Sequence, residues 1–353
     1  MADTIKVLIV DDSALARDIL SRGLSSDPAI EVIGAASDVY AARDLIVYRK
    51  PDVLTLDVEM PKMDGLEFLQ RLMPQHPVPV IMVSAMTEPG AKITLDALDS
   101  GAVDFVLKPT SSFGHQLQGM IDELIMKVKA ASRVDVSHRK NLFYNPAKVV
   151  KRKSSGILVG GTDKVLAIGA STGGTIALRQ MITTFPPDMI GTVVVQHMPP
   201  TFTRLFADKL NEISRVKVRE AKSGDRILRG EVLIAPGGLQ MEVVRSGGTY
   251  IVRCKEAGKV NGHCPSVDVL FYSTARHVGS NSLGVLLTGM GRDGAEGMLA
   301  MRKAGARTLA QDEETCVVFG MPNEAYKNGG AEKLVPIGSM TDNLVSLLKE
   351  LKK

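Results

Sequence analysis

The sequence contains no tryptophan, and aromatic residues make up only 4% of its 353 positions. So few rings leave little to build a stacking platform for single-stranded nucleic acid. A formal net charge of +4 is too small to create a strong electrostatic case for any nucleic-acid partner. Cysteine is scarce as well. Cys254, Cys264 and Cys316 form no CxxC pair, and an odd, unpatterned set suits a reducing cytoplasm better than a disulfide-stapled fold. Zinc on Cys254, His263 and Cys264 would lack both a familiar spacing and a fourth ligand. No apolar run is long enough to span a bilayer, so no direct membrane insertion is expected. The N-terminal run KVLIV stops at Asp11 and Asp12, so it reads as a strand and not as a signal peptide.

With 44% hydrophobic and 23% charged residues, the composition is that of a globular protein of about two domains. From Ile5 to about Lys129, short β-branched runs (KVLIV, EVIGAA, DVLTLD, VPVIMVS, VDFVLK) alternate with helical stretches such as SALARDILSRGL and GLEFLQRLM. Five βα units of this size predict a doubly wound, flavodoxin-like (βα)5 domain over residues 1–129. Residues 130–162 are rich in Lys, Arg, Ser and Gly without a period, as expected of a solvated basic linker. A second α/β alternation fills residues 163–353, with VLAIGA, TVVVQH, EVLIAPGG, LGVLLTG, RTLAQ and CVVF as strands. MEVVRSGGTYIVRC reads as a β-hairpin turning on its glycines. The expectation is an α/β fold throughout, the second sheet doubly wound and mostly parallel.

In the first domain, Asp11 and Asp12 end the first strand, Asp57 the third, Ser84 the fourth and Lys108 the fifth. Ends of parallel strands on one edge converge on the ligand crevice. Three gathered carboxylates call for a hard cation, and Mg²⁺ is the expected one. The lysine can neutralise a phosphoryl group carried by Asp57. Singly, a strand-end Asp is a helix cap and a lysine is a solvated charge. All five at successive strand ends make that ordinary account inadequate.

VDDSALAR, LDVEMPKMDG and the VLKP segment resemble the receiver domain of two-component response regulators. The resemblance implies that Asp57 accepts phosphate from a histidine kinase. Asp11 and Asp12 would help it hold Mg²⁺, Ser84 and Lys108 would sense the phosphoryl group, and Phe105 takes the place of the switch aromatic.

VLAIGASTGG in the second domain could cradle a cofactor's phosphates or present a serine. A dinucleotide site needs an acid near the end of the next strand, but that strand ends in Gln196 and His197. GASTGG is not GxGxxG, and no GK[ST] follows. Gly169-Ala170-Ser171-Thr172-Gly173 does match GxSxG, a strand-to-helix turn that exposes a hydroxyl. A nucleophilic serine needs a base, and His197 ends the next strand; His263 is the second choice. Asp268, Asp293 and Asp312 compete as the orienting acid, and the glycine-framed Asp293 in TGMGRDG is preferred. The order Ser, His, Asp differs from the Ser, Asp, His of α/β-hydrolases.

IGASTGG, QHMPPTFT, HCPSVDVLF and TGMGRDG, in this order, resemble the methylesterase domain of chemotaxis response regulators. That resemblance implies a triad of Ser171, His197 and Asp293, with a backbone N–H near Met290 at the oxyanion. It also implies a cytoplasmic enzyme whose substrates are glutamyl methyl esters on methyl-accepting chemotaxis receptors. A chemotaxis histidine kinase would supply the phosphoryl group, and the unphosphorylated receiver would mask the catalytic site. Deamidation of receptor glutamines is a further chemistry it allows, and ester hydrolysis requires no cofactor. Cys264 stands where that family often has Arg. A DNA-binding output would instead need a helix-turn-helix module, which the α/β alternation argues against.

Overall fold

The computed structural model describes residues 4–85, 87–109, 114–134, 136 and 163–350. The chain forms two compact units that divide between Pro146 and Ala147. Apart from its first residues, the segment expected to be a linker lies outside the described residues.

The first unit runs β1 (Ile5–Val10), α1 (Ala14–Leu24), β2 (Ile30–Ala36), α2 (Val39–Arg49), β3 (Val53–Asp57), α3 (Gly65–Gln75), β4 (Val80–Ser84), α4 (Glu88–Asp99), β5 (Asp104–Leu107) and α5 (Gly114–Ala131). The strands pair in the order β2-β1-β3-β4-β5, all parallel. Every residue of β3 and β4 is buried, as expected of strands covered by helices on both faces. The helices begin where side chains can satisfy their first N–H groups: Ser13 accepts from Ala16, and Asp64 from Glu67. α3 then buries Phe68, Leu69, Leu72 and Met73 along one stripe.

The second unit runs β6 (Val165–Ala170), α6 (Gly174–Ile182), β7 (Gly191–Gln196), α7 (Phe202–Ile213), β8 (Lys217–Glu220), β9 (Glu231–Ile234), β10 (Gln240–Ser246), β11 (Thr249–Lys255), α8 (Val267–His277), β12 (Ser282–Leu286), α9 (Ala295–Lys303), β13 (Arg307–Gln311), α10 (Met321–Lys327), β14 (Lys333–Val335) and α11 (Ile337–Glu350). Seven strands form one sheet, ordered β14-β13-β12-β6-β7-β9-β8. All its pairings are parallel. β10 and β11 form the expected antiparallel hairpin. The chain leaves β6 toward β7 on one side and returns to β12 on the other. The crevice beyond the carboxyl ends of β6 and β12 is therefore the topological switch point, where open α/β sheets bind ligands.

One expected strand is absent. Cys316–Phe319 is irregular apart from a single bridge between Phe319 and Gly289. Its apolar, β-branched composition imitates a strand, but Val317 and Val318 donate their N–H groups to the Thr288 hydroxyl and not to a sheet ladder.

Candidate active site

Strand register brings the reacting groups of the second unit together. Ala170 pairs with Gln196, so Ser171 and His197 leave adjacent strands at the same level, and His197 N–H donates to the Ala170 carbonyl at 3.1 Å. On the other side Leu286 pairs with Gly169, and Ser171 N–H donates to the Thr288 carbonyl at 3.0 Å. The glycine turn is tight. Gly174 N–H donates to the Ser171 carbonyl at 2.7 Å, while Gly173 has φ of +75° and its Cβ position would lie 2.2 Å from Val317. Only glycine meets both conditions. Gln196 Nε2 braces the same carbonyl at 2.9 Å.

The three side chains form a continuous hydrogen-bonded line. Ser171 Oγ lies 3.1 Å from His197 Nδ1, and His197 Nε2 lies 2.8 Å from Asp293 Oδ2. The tautomer that serves this line carries its proton on Nε2, donates it to Asp293, and leaves the Nδ1 lone pair for the Ser171 hydroxyl. Ser171 is half-buried, and only 7% of the His197 side chain is exposed.

Asp293 is heavily supported. Its Oδ1 accepts from Asn261 Nδ2 at 2.8 Å, Ser266 Oγ at 2.8 Å and Asp268 N–H at 3.3 Å, while its Oδ2 accepts from Val267 N–H at 2.7 Å. Val267 and Asp268 open α8, so the carboxylate sits at the positive end of that helix. Burial alone would raise the Asp293 pKa. The hydrogen bond and charge of His197, then the Asn261 and Val267 bonds, outweigh it and hold the carboxyl well below the ordinary range.

Beyond β12, Gly289 is pressed against the serine. A Cβ there would lie 2.8 Å from Ser171 Cβ and 2.2 Å from Met321 Sδ. The next residue, Met290, is half-buried, and its N–H donates to no acceptor among the described residues. The buried Thr288 ties three loops together. Its hydroxyl lies 3.0 Å from the Thr172 carbonyl and accepts from Val317 and Val318 N–H at 3.0 and 2.9 Å.

The other candidates fall elsewhere. His263 stacks flat on His197, with centroids 3.6 Å apart and an interplanar angle of 8°, and takes no place in the line. Asp268 accepts from Gly297 N–H and Asn261, and Asp312 from Thr315. Cys254, His263 and Cys264 do not gather into a metal-ligand group among the described residues. Asn261, Ser266 and Thr288 escaped sequence reasoning because they support the site from loops and a helix start, where no periodicity marks them. The Asn-Gly pair at 261–262 is the one signal that could have flagged its loop.

In the first unit, Val10 pairs with Leu56, which brings Asp11 level with Asp57. Lys108 Nζ meets Asp57 Oδ2 at 2.8 Å and Asp11 Oδ2 at 2.9 Å. Burial raises the Asp57 carboxyl above its ordinary value despite Lys108, and Asp11 adds to the shift. Burial would lower Lys108, but its two carboxylates more than reverse that. Asp11, Asp12 and Asp57 each offer an oxygen, all within 4.8 Å of one another. Asp11 Oδ2 is buried, and the Lys108 ammonium is its one polar contact among the described residues. An all-oxygen, all-anionic cluster whose two buried carboxylates share a single ammonium fits Mg²⁺. Ser84 Oγ lies 2.8 Å from Thr94 Oγ1, on the α4 side. Phe105 is buried, with Lys127 Nζ 5.3 Å from its ring centroid.

Residues 166–344 match the CheB methylesterase family, and residues 7–117 match the response regulator receiver domain. A protein-glutamate methylesterase/protein-glutamine glutaminase of Syntrophotalea carbinolica is 59% identical over 350 residues, covering 99% of each chain. A protein of the same name from Syntrophomonas wolfei is 50% identical over 347 residues, covering 98% of each. The crystal structure of the Thermotoga maritima CheB methylesterase catalytic domain aligns with a TM-score of 0.52 at 36% identity, covering 54% of this chain and all of that one.

Proposed function

This chain belongs to the CheB methylesterase family and carries a response regulator receiver domain, and from that premise we propose that it demethylates glutamyl methyl esters on methyl-accepting chemotaxis receptors under control of phosphorylation at Asp57. The observation that carries the chemistry is the line from Ser171 Oγ through His197 to Asp293, with contacts of 3.1 and 2.8 Å.

In the proposed reaction His197 Nδ1 takes the Ser171 proton as Oγ attacks the ester carbonyl. The negative charge on the carbonyl oxygen is met by backbone N–H donation, with Met290 the candidate donor, and such donors are typically worth roughly 10²–10³ in rate. Asp293 stabilises the imidazolium and holds its orientation. The intermediate collapses, and the proton on Nδ1 passes to the departing methoxide, which leaves as methanol. Water, deprotonated by the same Nδ1, then cleaves the acyl-enzyme to a glutamate carboxylate and restores the serine. A receptor glutamine would follow the same course with ammonia leaving, a chemistry that the glutaminase name of the relatives also carries. No cofactor enters these steps.

In the receiver, Asp57 is the proposed acceptor of a phosphoryl group from a chemotaxis histidine kinase. Asp11, Asp12 and Asp57 would hold Mg²⁺, which supplies charge neutralisation to the phosphoryl oxygens. Lys108, already bound to Asp57, is placed to follow the new charge, and Ser84 and Phe105 are the proposed relay to α4 and α5. The work is proposed to take place in the cytoplasm, where the methylated receptor helices lie. No helix among the described residues is long and apolar enough to cross a membrane.

Methanol release from methylated receptor membranes tests the reading. Ser171→Ala is expected to abolish it while the variant keeps the wild-type melting profile. Near-normal release by that purified variant would remove Ser171 from the mechanism.

A further inference from the structure

One amide touches two buried carboxylates at once. Val260 and His263 exchange backbone hydrogen bonds of 2.9 Å in each direction around Asn261 and Gly262. These two residues have φ of 52° and 85°. Positive φ at both central positions is the mark of a two-residue type I′ turn, for which Asn-Gly is a preferred pair. From this turn Asn261 Nδ2 donates to Asp268 Oδ2 at 2.7 Å and to Asp293 Oδ1 at 2.8 Å. Each N–H of the amide serves a different carboxylate.

Those carboxylates are 5% and 2% exposed, and like charges so placed repel. Burial pushes the Asp268 carboxyl up, and the charge of Asp293 pushes it further in the same direction. An amide with two donors and no charge is suited to lie between them. Asp293 then keeps Oδ1 on the Asn261 and Ser266 side and Oδ2 on the His197 side. The same turn delivers His263, whose ring covers one face of His197.

We propose that Asn261 is a positioning residue for ester hydrolysis, its amide bridging Asp268 and Asp293 so that Asp293 stays ionised and aimed at His197 Nε2. The proposal rests on the assignment of Ser171, His197 and Asp293 as the reacting line. Without the amide, the two acids face each other with one fewer donor between them. A proton shared between them would remove the charge that stabilises the imidazolium, and rotation of Asp293 would release the ring.

A purely conformational role for Asn261 makes a different prediction, because glycine serves the turn as well as asparagine does. The test is therefore Asn261→Gly in the full chain, which keeps the backbone conformation and deletes the amide. Loss of a hydrogen bond to a charged group predicts a fall in kcat for methanol release of about 10- to 100-fold, with KM changed by less than about twofold. The downfield proton resonance of the His197 Nε2–H bonded to Asp293 is expected to shift or vanish with it. Asn261→Asp, which tolerates the same φ but adds a third carboxylate, is expected to be slower still. It supplies the same comparison if the glycine variant melts early. Unchanged kcat and an unchanged downfield proton in whichever variant keeps the wild-type melting temperature would overturn the proposal. Ser171→Ala measured in parallel separates the two levels. Turnover by Ser171→Ala refutes the reacting line itself, whereas a dead Ser171→Ala beside a fast Asn261→Gly refutes only the positioning role.

Discussion

Replacing Thr288 by Val would leave the shape of the site almost unchanged and delete one hydroxyl. That hydroxyl accepts from Val317 and Val318 N–H and lies 3.0 Å from the Thr172 carbonyl. The Val317 and Val318 N–H groups would lose their acceptor, and the Thr172 and Val318 carbonyls would each lose a donor. A buried polar group left unpaired costs about 1–3 kcal/mol. Val317 and Val318 are half-buried and can recover some hydration. For the two N–H groups the summed loss is therefore about 2–4 kcal/mol, less than two full penalties. For a unit of this size such a loss lowers the melting temperature by about 5–15 °C. Thr288→Ser keeps the hydroxyl and gives up one methyl, worth about 0.8 kcal/mol. The absence of tryptophan rules out the usual fluorescence probe, so scanning calorimetry of the full chain is the assay, with methanol release measured on the same samples. Because the clamp ties the Ser171 turn to the loop that leads to Met290, activity should fall in Thr288→Val at temperatures where the protein is still folded. Equal melting temperatures for the valine and serine variants would refute the clamp.

Asp57→Asn is expected to abolish acceleration of methanol release by a small phosphodonor while leaving the unstimulated rate near wild type. Removal of Mg²⁺ by a chelator should prevent phosphorylation of the wild-type chain, read as loss of labelled aspartyl phosphate; undiminished labelling would argue against the Asp11, Asp12 and Asp57 cluster as its site. A third prediction concerns pH. The Asp293 carboxyl titrates below its ordinary value in the fold, so its charge stabilises the protein at and above about pH 4, its unfolded range. That contribution is lost as pH falls through the folded value. The stability advantage of wild type over Asp293→Asn should be full near neutrality and shrink in acid, measured by denaturant unfolding at a series of pH values. An advantage that grows on acidification would contradict it.

The parts of this protein legible in its sequence are those that local patterning writes. Continuous β-branched runs mark strands buried on both faces, and the residues that follow them fall on one sheet edge. This is why the strand-end places of Ser171, His197, Asp11, Asp57 and Lys108 are legible in the sequence. Glycines around Ser171 and Asp293 announce turns because a positive φ, as at Gly173, Gly291 and Gly294, favours glycine. β8 and β14 were not marked by sequence, being short edge strands of three or four residues with mixed polarity. Cys316–Phe319 misled in the opposite direction, since a β-branched run satisfied by a threonine hydroxyl looks the same as one satisfied by a ladder.

Tertiary structure alone decided the order of strands around the switch point, which seats β12 beside β6 and so carries Asp293 to His197. It decided that Nδ1 faces Ser171 and Nε2 faces Asp293, because a ring orientation follows from which partners surround it and not from its place in the chain. It also decided that Asn261 and Thr288 belong to the site. Pattern is set by neighbours along the backbone, whereas a hydrogen bond between residues 32 positions apart, such as Asn261 to Asp293, exists only once the sheet has brought them together.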